Sequence, residues 1–400
     1  MTGEMFDIRA IGVKMETIMT FQGSRIQESR DRVTRNFLSL AGVDAISLHE
    51  RRIADCLVGM LEELGFEVTE DDAGARNGSE AGNLYGILRG SDKIRPVLLS
   101  AHMDTVTPGI GKEPVVSEDG ERIFSAGDTV LGADDVCGIV EILEGVRLIR
   151  DAGEEFGDIE ILLTIGEEIY GQGSKVFDYS RLRSKDAYVL DMSGCPGTAA
   201  RRAPTIITFE AAVTGRAAHA GFSPEAGINA LQAASKAIAQ IEQGRISETA
   251  TCNIGTIRAG SAPNIVPENC VTAGEVRSFD HEEALRLVSE IRRVFRESAE
   301  ETGAALDFDH EIRVRAYETP ETADVCREFR AACAACGLPG RLTSSGGGSD
   351  QNVYAEYGIE GLVLSCGMYL THSTEEYTLI DELVLGAELV AELVRQRGAV

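Results

Sequence analysis

The 400-residue sequence predicts an α/β protein in two parts: a mainly parallel sheet flanked by helices, with a smaller α+β domain inserted into it. Three observations predict this. The length exceeds what one hydrophobic core usually serves. Apolar strand-like runs alternate with helix-period segments over both outer thirds, the pattern of a two-sided sheet. The middle third instead shows strands with in–out alternation and two amphipathic helices, in a β-α-β…β-α-β order.

The elements follow in order. Ser47-Leu48-His49-Glu50 has capping-box spacing, and Ile53, Leu57, Met60, Leu61 and Leu64 then recur at helical period until Gly65 stops the helix. Strands are expected at Phe66–Val68, Leu84–Leu88, Val97–Ser100, Ile159–Thr164, Tyr188–Leu190 and Leu362–Leu364, with a helix over Val136–Ile149. In the middle third, Thr205–Val213 and Ala273–Arg277 read as strands, Asn229–Gln240 and Glu282–Glu297 as helices. Boundaries of 1–203 and 317–400 for the outer domain and 204–316 for the insert follow.

Composition narrows the function. With 38 basic against 65 acidic residues the net charge is −27, which repels phosphate backbones and anionic membranes, so neither nucleic acid nor a lipid surface is an expected partner. No apolar run reaches the roughly 18 residues of a membrane span. Charged residues Glu4, Asp7, Arg9, Lys14 and Glu16 interrupt Met1–Gln22, which argues against a secretory signal. The nine cysteines are odd in number and scattered, as expected of reduced thiols in a cytoplasm. Cys333-x-x-Cys336 has redox or zinc spacing, but it lies in an Ala-rich helical segment without a second pair, and buried structural thiols are the simpler reading.

The chemistry lies in three short stretches: Ser100-Ala101-His102-Met103-Asp104-Thr105, Leu131-Gly132-Ala133-Asp134-Asp135 and Thr164-Ile165-Gly166-Glu167-Glu168. Each is placed at a strand end and offers imidazole or carboxylate ligands for zinc-like ions, with one carboxylate left over as a base. Asp191 and His372 complete a five-ligand set. Taken singly, a His is more often a hydrogen-bonded surface residue, and a paired carboxylate a solvated turn. Glu154-Glu155 and Glu375-Glu376 are read that way. Asp134-Asp135 and Glu167-Glu168 differ because they follow small residues and adjoin apolar runs, so their carboxylates should be partly buried and need a strong partner. His102, Glu167, Asp191 and His372 each fall just beyond a predicted strand, where ligands of open α/β sheets converge.

From about Gln27 onward the chain resembles the dizinc exopeptidases that include peptidase T, aminoacylase and carboxypeptidase G, with the peptidase T branch most similar. The resemblance rests on residues 100–105, 131–135, Gly166-Glu-Glu-Ile-Tyr-Gly-Gln-Gly-Ser-Lys175, His219-Ala-Gly-Phe-Ser-Pro-Glu-Ala-Gly-Ile-Asn-Ala230 and Gly346-Gly-Gly-Ser-Asp350. It implies a zinc-exopeptidase-like catalytic domain with an inserted lid that pairs into a homodimer. Asp134 would bridge two divalent ions, zinc first with manganese or cobalt as alternatives. His102 and Asp191 would hold one ion, Glu168 and His372 the other. Glu167 would be the general base, Asp104 would orient the His102 imidazole, and the Asp134–Asp135 peptide would be cis. His219 would serve the partner subunit's oxyanion. Arg277, helped by Asn264, would grip a substrate carboxylate, with Gly347 and Gly348 on a substrate-contacting loop.

Two departures concern substrate detail: the family's Asp-Asp-Lys becomes Asp135-Val136-Cys137, and an Arg-Gly-Gly-type loop becomes Ser345-Gly346-Gly347-Gly348. The resemblance thus implies a metal-dependent aminopeptidase acting on short peptides, tripeptides favoured. N-acyl amino acid deacylation or dipeptide cleavage would use the same site. A metal-dependent binding protein without turnover is the remaining class, disfavoured because base and ligands are all present.

Overall fold

The computed structural model describes residues 23–398; the readings made on Met1–Gln22 lie outside them. The chain divides into two compact units. The first runs to Arg201 and takes up Thr319–Ser344 and the chain from Ser349; the second is Arg202–Glu318 with Ser345–Gly348. Ser345–Gly348 was assigned to the outer domain by sequence. It groups with the second unit because Ser345 N donates to Arg202 O and Gly346 O accepts from Arg277 Nη1.

The first unit is built on an eight-stranded sheet. Its centre is four parallel strands in the order Ile159–Thr164, Val97–His102, Asp186–Met192, Glu360–Ser365. Leu84–Leu88 and Glu67–Glu70 extend one side antiparallel, and Thr198–Ala200 and Arg341–Thr343 the other. Val97–His102 and Ile159–Thr164 are buried along their whole length, and their successive side chains enter different cores. Leu99, Ile161 and Leu163 join the larger one, Leu98 and Leu162 the smaller. That two-fold alternation between two apolar faces is why these strands read as continuous apolar runs rather than as in–out stripes.

Helices Gly23–Ala41, Arg51–Glu63, Ala133–Ala152, Asp324–Ala335 and Ile380–Arg395 supply the larger core, and Asp350–Glu356 covers the other face. Gly65 ends the second of these in the left-handed region, as expected of a stop. The predicted capping box does not form. Leu48 has a φ of 73°, the helix starts at Arg51, and Ser47 and Glu50 turn their side chains to other partners. A further antiparallel sheet, Met368–Tyr369, Tyr377–Leu379, Arg122–Ser125 and Pro114–Val116, has strands too short to show a period in sequence.

The second unit is a five-stranded antiparallel sheet in the order Gly244–Arg245, Ala250–Ala259, Asn269–Ser278, Thr205–Thr214, Ala305–Val314. Helices Ala230–Ile238 and His281–Thr302 bury Ala233, Ala237, Val288, Ile291 and Phe295 against Ile207, Phe209 and Val276. Among the described residues, no helix is long and apolar enough to cross a membrane.

Candidate metal centre

His102 is the last residue of its strand, and Asp191 lies one residue before the end of the neighbouring one. Glu167 and Glu168 follow Thr164 in a turn whose backbone is held from outside. Four consecutive amides there donate to side chains of other segments: Ile165 N to Asn83 Oδ1 (3.1 Å), Gly166 N to Glu50 Oε1 (3.1 Å), Glu167 N to Asp104 Oδ1 (2.9 Å) and Glu168 N to Asp104 Oδ2 (3.3 Å). A loop with its donors satisfied this way has one accessible geometry, which fixes both glutamates. Ser47 Oγ donates to Asp104 Oδ2 at 2.6 Å, and Ser79 Oγ to Glu50 Oε2 at 2.6 Å.

Asp104 thus has a task beside the one the resemblance implied. His102 Nδ1 lies 2.9 Å from the main-chain carbonyl of Asp104 and 3.5 Å from its carboxylate. The shorter contact sets the ring's tautomer, with the proton on Nδ1 and Nε2 left to ligate. The Asp104 carboxylate serves the glutamate turn.

Asp134 stands between the two histidines. Its Oδ1 is 2.9 Å from His102 Nε2 and its Oδ2 3.3 Å from His372 Nε2. Asp191 Oδ1 lies 3.8 Å from His102 Nε2, and Glu168 Oε1 3.0 Å from His372 Nε2. Two donor groups converge, His102–Asp134–Asp191 and Asp134–Glu168–His372, sharing Asp134. One imidazole and two carboxylates in each is a ligand set that suits zinc-like cations. The Asp134–Asp135 peptide is cis, and both residues depart from helical φ/ψ although the helix begins at Ala133. Asp135 lies outside both groups; its carboxylate accepts from His102 N (3.1 Å) and Gly138 N (3.2 Å), tying the strand end to the helix.

The electrostatics agree with a cation site. Burial first, helped by neighbouring carboxylates and opposed by His102 or His372, pushes Glu167, Glu168, Asp135 and Asp191 above their ordinary values. For Asp134 burial acts in the same direction, but bonds to His102 and His372 outweigh it and hold the carboxyl low. Bonds to Asp134 and Glu168 raise His372 to about 10. Ionised together, these five carboxylates would carry more charge than two imidazolium rings can balance, which is why four of them are held up here and why divalent ions would favour their charged forms.

Sequence reasoning missed Glu376. It was read with Glu375 as a solvated pair, and Glu375 is exposed, but Glu376 is 2% exposed. It accepts from Gly132 N (2.7 Å) and Asp134 N (3.1 Å). His372 is seven residues past the end of the strand Glu360–Ser365, in the connection between Met368–Tyr369 and Tyr377–Leu379, with a φ of 63°. Neither placement has a local signal in sequence.

The remaining predicted residues belong to the second unit. His219 is exposed and accepts at Nδ1 from Gly221 N and Phe222 N, both at 3.1 Å. A neutral ring bonded this way carries its proton on Nε2. Ala220 N donates to Asn264 O at 3.0 Å, so the His219 and Asn264 loops are adjacent. The Arg277 guanidinium is paired with Glu275 through two bonds of 2.7 and 3.1 Å and with Gly346 O at 3.0 Å, the surface ion pair that is the ordinary alternative to a substrate grip. Gly347 is closed on Ser345 through two bonds, and Gly348 follows it in the same turn.

Comparison with known proteins adds a family. Residues 203–303 match the peptidase dimerisation domain, and residues 83–242 match peptidase family M28. The protein YqjE of Bacillus subtilis is 36% identical over 91% of this chain and 98% of its own. The crystal structure of aminopeptidase PepT from Bacillus cereus is 34% identical, with a TM-score of 0.85 over 92% of this chain and 98% of that one. A tripeptidase from Staphylococcus aureus is 32% identical, with a TM-score of 0.88 over the same shares.

Proposed function

The chain belongs to the M20 peptidases, on the peptidase T side of that family, and from that premise we propose that it is a metal-dependent aminopeptidase releasing the N-terminal residue of short peptides, tripeptides first. The observation that carries this reading is the pair of His–carboxylate groups sharing Asp134, with Glu167 beside them and outside both. We assign His102 and Asp191 to one ion, His372 and Glu168 to the other, and Asp134 to both. Divalent ions bound there would polarise the scissile carbonyl and acidify water.

The chain's own residues do the rest. Glu167, its backbone fixed by Asp104 and its carboxyl raised first by burial, takes a proton from the attacking water and passes it to the leaving amine. The tripeptide preference draws on the tripeptidase similarity, and Arg277 is the candidate for the peptide's C-terminal carboxylate, where substrate would compete with Glu275. A homodimer through residues 203–303 and a cytoplasmic location complete the proposal; all nine cysteines are free.

Glu167→Gln tests the reading. The amide keeps the shape of the side chain but cannot take a proton, so turnover of tripeptides should fall by roughly 10²–10⁴-fold with two ions still bound per chain. Retention of more than about a hundredth of the wild-type rate would give the base role to another residue.

A further inference from the structure

Glu376 has no role in the scheme above, yet its position is unusual for a carboxylate. It is buried within bonding distance of the backbone of the bridging Asp134, and it spends both oxygens on the turn that carries that ligand: Oε2 accepts from Gly132 N at 2.7 Å and Oε1 from Asp134 N at 3.1 Å. The turn needs such a hold. Gly132 is in the left-handed region, and the two residues after Ala133 are non-helical, so the helix's own ladder does not fix Asp134. The buried Lys112 amine abuts the same glycine, since a Cβ at Gly132 would come within 2.9 Å of its Nζ.

Glu376 also shares one short connection with His372. That connection, residues 370–376, is closed on itself by Ser373 Oγ to Leu370 O, Glu375 N to Ser373 Oγ and Glu376 N to Ser373 O. It is continuous with the strand Tyr377–Leu379, which pairs with Arg122–Ser125. One rigid segment therefore carries a metal-ligating imidazole at one end and a grip on the bridging aspartate at the other.

We propose that Glu376 is a positioning residue that sets the separation of the two metal sites, by tying the His372 connection to the Asp134 turn. This rests on the two-ion reading of the site and adds a residue outside its ligands. A carboxylate that accepts two amides from one turn fixes that turn's position and orientation together, which one acceptor cannot do. Glutamine in its place keeps the volume, but it sets an NH₂ donor against one of the two backbone donors, so the turn loses a bond and gains a repulsive contact.

The experiment compares full-length wild type, Glu376→Gln and the control Thr378→Val, a buried residue two positions along the same segment. Zn(II) affinity is measured by competition with a chromophoric chelator, the Co(II)-loaded forms by their visible spectra, and the metal-stripped forms by thermal melting. Glu376→Gln should lose about 10–100-fold in affinity for the ion pair, the usual cost of removing such a support. It should also alter the Co(II) spectrum, and its metal-free form, one buried bond poorer, should still melt cooperatively within a few degrees of wild type. Thr378→Val should match wild type in affinity and spectrum. Wild-type affinity and spectrum in Glu376→Gln would overturn the brace and leave the two-ion site standing. Equal loss of affinity in Thr378→Val, or loss of cooperative melting in metal-free Glu376→Gln, would make the effect one of packing and overturn it as well. A wild-type chain that binds neither Zn(II) nor Co(II) overturns the two-ion reading together with the brace.

Discussion

Two neighbours compete for Asp104: the His102 ring and the amides of the glutamate turn. Geometry settles the competition, since the carboxylate is 2.9 and 3.3 Å from the amides of Glu167 and Glu168 but 3.5 Å from Nδ1, beyond the range of a good N–H···O bond. The main-chain carbonyl already satisfies the ring. Asp104→Asn should therefore act on the base rather than on the metal. The amide leaves one of the two backbone donors facing another donor, the turn shifts, and kcat should fall by about 10–100-fold. Zinc affinity should stay within a few-fold of wild type, because His102 keeps its carbonyl partner. A loss of zinc affinity as large as the loss in kcat would return Asp104 to the role of orienting His102.

Among the elements, the helices Ala133–Ala152 and Ile380–Arg395 set how firmly the site is backed. They approach closely at Gly145: a Cβ there would come within 2.7 Å of Val390 Cβ and 2.8 Å of Ala387 O. Gly145→Ala gains roughly 0.5–1 kcal/mol of helix propensity but overpacks the crossing at a cost of roughly 1–3 kcal/mol. We expect net destabilisation of about 1–2 kcal/mol in denaturant melts. Unchanged or increased stability would mean that the helices can separate freely. What the sequence disclosed follows the same division between packed and local features. Ile159–Thr164 was legible because burial on both faces demands an unbroken apolar run, and the helices of the second unit because one face must stay apolar. The short strands around His372 were not, since two or three residues carry no period. Ser47-x-x-Glu50 has the spacing of a local cap, yet both side chains serve segments far along the chain, at Asp104, Ser79 and Gly166. Glu376 was hidden for the same reason: a carboxylate beside an exposed twin gives no sign that its partners lie 242 and 244 positions away.

For the molecule as a whole, the open matter is whether one chain carries a complete site. All five candidate metal ligands and Glu167 belong to the first unit, while His219 belongs to the second, in the segment that matches a peptidase dimerisation domain. The His219 ring is fixed through Nδ1 and exposed, which leaves an Nε2–H donor suited to an oxyanion. If that donor serves the partner subunit, as the family resemblance implies, two inactive chains should restore each other. Glu167→Gln supplies an intact His219, and His219→Ala supplies an intact Glu167. After subunit exchange at equal concentration, about half the dimers of a two-fold assembly are mixed, and one of the two sites in each has both groups. Recovery should therefore approach about one quarter of the wild-type rate, well above His219→Ala alone, since one oxyanion donor is worth roughly 10²–10³-fold. The doubly substituted chain should stay inactive in every mixture with itself. No recovery under exchange verified by mass-tagged subunits would confine His219 to its own chain, where its bonds to Gly221 and Phe222 would make it a turn-closing residue and nothing more.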